Sequence, residues 1–474
     1  MKRRTFAQLT GVSLAALKLG TSSARADTAN LVYPAAPMAK DPALLQTTLT
    51  PLGSIRAGNA DGSIPAWTGG YNTPPAGWST GQFIPDPNAD DAVLVKIDAS
   101  NMAQYAAYLS AGTMAMMAKY PDFYINVYPT HRTACAPQDV YDNIAANVGR
   151  AVISATKPQL GFTGAVGGIP FPILNTEDPL IAGAQCIWNH YTSWKGRALT
   201  FDSNAYAISS GSVYLSNASS PAHYDYPYYH KGVTPENFSG IGSRTFEQYT
   251  APPNSVGEEI ITTYYTNPIG NPNQVWELLN GQGRVRRAPE VSYDTPASTV
   301  DGIADTDEFW GFAGAPDRYN YTYKGIKELF LPYNNNTLFG EDAKQVIKEH
   351  FFDPNYVRWE KHRVHVVDAT LRPGERNTLA HRVFYLDEDT YQVSVVDSHD
   401  ANDTLVHLGL VYFFARPDLP GTIMANNSVH VLQTGDWTPM AGPFGLRESP
   451  VFIFHDSLPA SMFDPNNMAA SAQY

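Results

Sequence analysis

The sequence predicts an α+β protein in which a large antiparallel sheet, curled into a half-open β-barrel, packs over several helices. Three observations predict it. From about residue 198 the apolar pattern has period two, turn signals recur at short intervals so that strands follow one another directly, and helical signals precede them. Sequential hairpins of this kind twist strongly and curl, leaving helices free to plug one side. No period of roughly 20 to 50 residues marks a repeat array, and no linker divides residues 198–440, so one large domain is expected.

Residues 1–26 comprise a basic start (Lys2, Arg3, Arg4), an apolar run from Leu9 to Leu19 and a small-residue exit, Ala24-Arg25-Ala26. That is the layout of an export signal. Arg3-Arg4 followed by Phe6, with Lys18 late in a weakly apolar stretch, points to the twin-arginine route and to the periplasm. The run is well short of the roughly 20 apolar residues that a bilayer core requires. Cleavage after Ala26 leaves Asp27, not a lipid-accepting cysteine, at the new N-terminus, so a soluble protein is expected.

Residues 27–90, punctuated by Gly58-Asn59-Ala60-Asp61-Gly62 and Thr73-Pro74-Pro75, read as an extended Pro/Gly-rich arm packed on something else. Residues 91–197 read as a helical segment. Asp98-Ala99-Ser100 caps a helix through Met102, Tyr105, Ala106 and Leu109, and a second runs from Met114 to Tyr120 before Pro121 stops it. Further helices are expected over Pro137–Val148 and Leu180–Trp194. Residues 198–461 read as the curled sheet of the same domain, with strands at Glu259–Thr266, Gln274–Leu279, Arg284–Ala288, His362–Leu371, Leu379–Leu386, Tyr391–Asp397 and Leu405–Ala415. Residues 301–361 read as an acidic, aromatic loop region with one short helix from Asp342 to His350, and residues 462–474 as a loose tail.

The formal net charge is −13, and loss of five positive residues and no acid with the signal brings it to about −18. That argues against nucleic acid or anionic headgroups as partners. Charged residues make up only 16% against 12% aromatic, with 28 Tyr, which leaves semi-polar aromatic surface to be placed along the strands. Cys135 and Cys186 are the two cysteines. A periplasmic address permits a disulfide between them, yet folding before twin-arginine export proceeds where thiols stay reduced, so the fold should not depend on it.

Serine-hydrolase, dinucleotide, Walker, C-x-x-C, H-E-x-x-H and EF-hand patterns are all absent, so the sequence supports no cofactor and no catalytic motif. His362 and His365 lie on one strand at odd spacing and face opposite ways, which makes a poor chelate. Asp305-Thr306-Asp307-Glu308 offers calcium-type oxygens or simply a solvated loop. His131, His190, His223, His230 and His381 are candidates to converge with acids, or structural histidines. Arg284 and Arg286, on one face of a strand with Arg287 on the other, suit a carboxylate or phosphate held bidentately, or pairing with the chain's own acids. Strand aromatics such as Tyr264, Tyr265, Trp276, Tyr385, Tyr391 and Tyr412 suit an aromatic-lined concavity for an apolar ligand. The candidate ligand-binding residues are Trp188, His190, Trp276, Arg284, Arg286, Tyr385, His131 and Arg132.

Many segments in order carry a family resemblance. They include Ala57-Gly58-Asn59-Ala60-Asp61-Gly62, Ile64-Pro65-Ala66-Trp67-Thr68-Gly69-Gly70, Tyr128-Pro129-Thr130-His131-Arg132-Thr133, Gly167-Gly168-Ile169-Pro170-Phe171-Pro172 and Trp188-Asn189-His190. Others are Arg284-Val285-Arg286-Arg287-Ala288-Pro289, Pro316-Asp317-Arg318-Tyr319, Glu360-Lys361-His362-Arg363-Val364 and Arg382-Val383-Phe384-Tyr385-Leu386-Asp387-Glu388-Asp389. Over nearly the whole mature chain the sequence resembles a proteobacterial family of unknown function labelled outer-membrane lipoprotein-sorting-like. The resemblance implies a fold similar to the periplasmic lipoprotein carriers, LolA/LolB-like, with an apolar cavity between half-open barrel and helices. It implies a binding or shuttle protein for a lipid or other hydrophobic cargo, serving an envelope transporter or outer-membrane protein. The family supplies no catalytic residues. Two alternatives remain open: an enzyme on an apolar or polymeric substrate, which requires His131, Arg132, His190, Arg318 and His362 to converge, and an adaptor subunit of an export machine.

Overall fold

The computed structural model describes residues 31–32, 38–79, 81–209, 216–268, 271–281, 283–288, 293–440, 442–448 and 452–471. The expected export signal lies outside the described residues. Along the chain come β1 (Leu31–Val32), β2 (Val95–Ile97), a 3₁₀ helix at Met102–Tyr108, α1 (Ala111–Lys119), β3 (Ile125–Val127), α2 (Gln138–Arg150), β4 (Val152–Ile153), β5 (Phe162–Thr163) and α3 (Pro179–Tyr191). Then follow β6 (Ala198–Ala207), β7 (Ser216–Asp225), β8 (Ile241–Gln248), β9 (Glu259–Tyr265), β10 (Gln274–Leu278), β11 (Val285–Arg287) and β12 (Tyr319–Pro332). After α4 (Asn336–Gly340) and α5 (Ala343–Val346) the chain forms β13 (Arg358–Leu371), β14 (His381–Asp387), β15 (Val393–His399), β16 (Leu405–Arg416), β17 (Gly421–Val431), β18 (Trp437–Met440), β19 (Phe452–His455) and α6 (Pro465–Ser471).

The class is α+β, as expected, but the expected single curled sheet is two sheets. The ten-stranded one runs β1-β12-β13-β14-β15-β16-β17-β18, with β2 and β3 attached at β13; the seven-stranded one runs β11-β10-β9-β8-β7-β6-β19. They meet where β18 approaches β6: Trp437 and Ile208 exchange two backbone hydrogen bonds of 3.0 Å, and Asn204 and Gly442 two of 3.1 Å. Sequential antiparallel pairing from β12 to β18 is what short turns dictate. The exception is β3, whose short stretch pairs parallel to β13.

The central strands of the ten-stranded sheet are covered on both faces. Along β13, Val364 and Val366 enter one apolar cluster while Val367 and Ala369 enter another; along β14, Val383 and Tyr385 part from Phe384 and Leu386 in the same way. Period two sends alternate side chains to opposite faces, and both are apolar. The second cluster includes Ala182, Cys186, Ile187 and Trp188 of α3. That helix begins at the Asp178 cap, whose carboxylate accepts from the Leu180 and Ile181 amides, with Pro179 in the first turn. It lies so close to β12 that a Cβ on Gly183 would meet the Tyr321 carbonyl oxygen at 2.3 Å.

Residues 54–65 are held down by buried arginines. Arg132 donates to the Ile55 carbonyl at 2.9 Å and pairs with Asp389 at 2.6 Å, while Arg363 donates to the carbonyls of Ile55 and Ala57 and pairs with Glu388 at 2.7 Å. Glu388 accepts in turn from the Ile55 amide at 2.8 Å. Backbone groups that leave water need such partners.

Two expectations are corrected. The region 301–361 is not mainly loop, since the fourteen-residue β12 runs through it. Nor is the whole tail loose: α6 brings Met468, 2% exposed, and the preceding turn brings Phe463 against Ile261 and Leu278. No helix among the described residues is long and apolar enough to cross a membrane.

Candidate functional site

A cavity of about 710 Å³ opens between one face of the seven-stranded sheet and a wall made by α3, the segment 295–316 and residues of β17. Strand register explains which side chains face it. Leu199 pairs with Tyr224, Tyr224 with Thr245, Thr245 with Thr262 and Thr262 with Val275. Directly opposed residues share a face, so all five look into the space. The neighbouring row is Phe201, Ala222, Glu247, Ile260, Glu277 and Arg286. Phe452 of β19 extends that row beside Phe201, and across from them stand Trp188, Tyr191, Trp310, Phe312 and Ile423. The volume falls within the roughly 300 to 1,000 Å³ of small-molecule sites.

Polar groups are set among these apolar side chains, and several of them are paired. Glu247 accepts from the Tyr224 hydroxyl at 3.1 Å and the Ser220 hydroxyl at 3.3 Å, and burial raises its carboxyl above the usual range. Burial, with Glu247, Glu258 and Glu277 nearby, holds the Tyr249 phenol well above its usual range. Arg286 pairs with Glu277 at 3.0 Å. Lys195, four residues beyond α3, donates to the carbonyls of His190 at 3.2 Å and Tyr191 at 3.5 Å, satisfying the helix end. Burial brings this amine down to about 7. His190 accepts from the Val393 amide at Nδ1, 3.1 Å, and so donates from Nε2 to the Phe312 carbonyl, 2.9 Å; burial pushes it down to about 3 and keeps it neutral. It fixes the wall and is not poised for proton transfer.

Of the eight expected ligand-binding residues, Trp188, His190 and Arg286 line this cavity. Trp276 does not: Val275 and Glu277 take the inner positions of β10, so the indole between them packs on the outer face against the α6 cluster. Arg284 precedes β11 and is exposed, so it does not form a same-face strand pair with Arg286. Tyr385 belongs to the ten-stranded sheet's core. His131 pairs with Asp91 at 2.8 Å, and Arg132 pairs with Asp389 under the arm. The set required for an enzyme is scattered: His362 sits beside Glu360 in the arm network, His190 at the cavity, and Arg318 with Asp294. His365, on the other side of β13 from His362, meets Tyr323 and Tyr391. Asp307 of the candidate calcium run is held by Arg382 at 2.8 Å. Cys135 and Cys186 are separate buried free thiols, the former donating to the Tyr71 carbonyl.

Sequence reasoning missed Lys195, Glu247 and Trp310. For Glu247 a signal existed in the alternation of Thr245 with Glu247 along β8, readable only once its inward face is known. Lys195 had none.

Comparison with known proteins places these features in company. The family model described as "Protein of unknown function (DUF1329)" matches residues 96–469. The Pseudomonas aeruginosa protein named "Uncharacterized protein PA3922" is 37% identical over 381 residues, 78% of this chain and 80% of that protein. The crystal structure of a DUF1329 family protein from Desulfovibrio piger is similar at 13% identity and a TM-score of 0.42, covering 61% of this chain and 99% of that one. The LolA superfamily protein NE2245 from Nitrosomonas europaea is similar at 8% identity and a TM-score of 0.34, covering 60% and 97%.

Proposed function

We propose, from the premise that this chain belongs to the DUF1329 family, that it binds or shuttles a lipid or other hydrophobic molecule in the periplasm. The single observation that carries the proposal is the cavity of about 710 Å³, in which aromatic and aliphatic side chains such as Leu199, Tyr224, Trp310 and Phe312 are interspersed with hydroxyl and carboxylate groups. Burying apolar ligand surface at roughly 25 cal/mol per Å² supplies the affinity, and the polar groups set orientation. In this reading the two bridged sheets act as the flanks of a half-open barrel, and the N-terminal residues direct twin-arginine export. An envelope transporter or outer-membrane protein would be the donor or acceptor.

Native mass spectrometry with lipid extraction, on protein purified from the periplasm, tests the proposal. The wild type is expected to carry an apolar molecule at near one per chain. Thr262→Trp, which projects an indole from mid-β9 into the space, is expected to fold and to lose it. A clean unliganded mass together with no uptake of long-chain fatty acid or alcohol overturns the proposal.

A further inference from the structure

We infer that His381, His399 and Asp403 bind one divalent first-row transition-metal ion of the zinc type at one end of the β14–β15 ladder. His381 opens β14, His399 closes β15, and the two are direct cross-strand partners. Their rings stack with centroids 4.8 Å apart. Asp403 lies in the turn before β16, and one ligand atom from each of the three residues lies within 4.8 Å of the others. The site is separate from the cavity, since none of the three lines it.

His399 carries the argument. It is 2% exposed, and neither Nδ1 nor Nε2 makes a well-formed hydrogen bond, the His381 backbone being the polar group that favours its protonated form. A neutral imidazole offers one donor and one acceptor, and leaving buried polar atoms unsatisfied is destabilising. A cation is the ligand that uses the free lone pair. His381 is already oriented for it, with Nε2 at 2.6 Å from Asp368 Oδ1 and Nδ1 at 2.8 Å from Asp403 Oδ1. A metal taking the place of the proton between Nδ1 and Asp403 leaves Asp368 as the carboxylate that fixes the ring and raises its basicity. Asp368 is itself anchored by Lys324 at 3.2 Å.

Two imidazole nitrogens and one carboxylate oxygen suit zinc and its neighbours rather than magnesium or calcium. Tetrahedral bonds of about 2.0–2.2 Å set ligand atoms roughly 3.3–3.6 Å apart, so Asp403 Oδ1 moves out from the 2.8 Å it now keeps to His381 Nδ1 while His399 draws in. Rotation of the Asp403 side chain, 42% exposed, accommodates this and leaves a further coordination position toward solvent. The other His and Asp cluster, His362 with Asp387 and Asp389, differs because Arg132 holds Asp389 through both carboxylate oxygens and Glu360 holds His362.

Isothermal titration of the EDTA-treated full chain with Zn²⁺ provides the test, with Mg²⁺ run in parallel. One Zn²⁺ per chain is expected, with no Mg²⁺ response. Asp403→Asn, at an exposed turn, and His399→Ala are each expected to weaken zinc at least ~10-fold, and Asp368→Asn ~10–100-fold. The thermal midpoint of the wild type should rise with Zn²⁺ while that of Asp403→Asn stays put. No zinc binding by the wild type, equal affinity in Asp403→Asn, or an equal response to Mg²⁺ overturns the inference; if His399→Ala does not fold, Asp403→Asn decides alone.

Discussion

Replacing Lys195 by Met removes a buried amine that has only helix-end carbonyls for company, and the consequence is a change in how stability depends on pH. Burial brings the folded-state amine to about 7, whereas in the unfolded chain it titrates near 10.4. Between those values the unfolded state binds the proton more tightly, so wild-type stability rises with pH across this window and carries the full penalty below about 7. Each pKa unit is worth about 1.36 kcal/mol. From pH 7 to pH 9.5 the ceiling on the gain is therefore about 3 kcal/mol, and water in a partly open cavity reduces the expected figure to about 1–2 kcal/mol. Lys195→Met should be the more stable protein near pH 7 and lose its advantage as the pH rises. Urea denaturation of both proteins at the two pH values measures this, and the difference between the two differences cancels every other titrating group. Equal pH responses would mean that the folded amine stays charged and hydrated, which refutes the burial argument.

Arg382→Met strips the partner from Asp307, itself 2% exposed, and leaves its carboxylate with the Asn377 amide. A loss of about 3–5 kcal/mol in urea denaturation is expected; a loss under about 1 kcal/mol would show that Asp307 is not a buried charge. Gly183→Ala forces a methyl to 2.3 Å from the Tyr321 carbonyl oxygen, so α3 must lift from β12. Overpacking of this kind costs about 1–3 kcal/mol, and because α3 carries Trp188 and His190 to the cavity wall, ligand retention in the native mass assay should fall with it. Unchanged stability and retention would mean that α3 is free to move.

The hairpins were legible because each carries its own evidence, a period-two stretch ended by a turn signal such as Pro373-Gly374 or Asp387-Glu388-Asp389. Strand β12 was not. Tyr319, Tyr321 and Tyr323 do alternate, but a register shift between Tyr323 and Gly325 breaks the period and Lys324, Lys327 and Glu328 interrupt it with charge. The charges are tolerated because each finds a partner, as Lys361 does for Glu328 at 2.8 Å, and pairing across strands is invisible to a local reading. The same limit explains the site. Trp188 and His190 announced themselves by residue type, whereas Trp276 was misassigned because nothing in residues 274–278 says which face is inside. That is settled by a pairing chain running back through β9, β8 and β7 to β6.

The position of the cavity follows from the unequal treatment of the two sheets. In the ten-stranded sheet β13 to β17 are buried on both faces, so their inner surfaces are already spent on core packing. Its polar motifs are occupied as well: Arg132, Arg363, Asp389 and Glu388 hold the arm, which gives motifs rich in arginine and acid a structural task. The seven-stranded sheet is different, for β8 is only half-buried along its whole length. Its cavity-facing side carries Thr245, Thr262, Ser203 and Ser220 among Phe201, Tyr224 and Ile260. Small hydroxyl side chains where a close-packed core would place Leu or Ile leave volume unfilled, and they do so without leaving a buried donor stranded as long as a ligand or water occupies the space. A sheet composed in this way leaves open volume against it, whereas its neighbour is closed by its own packing.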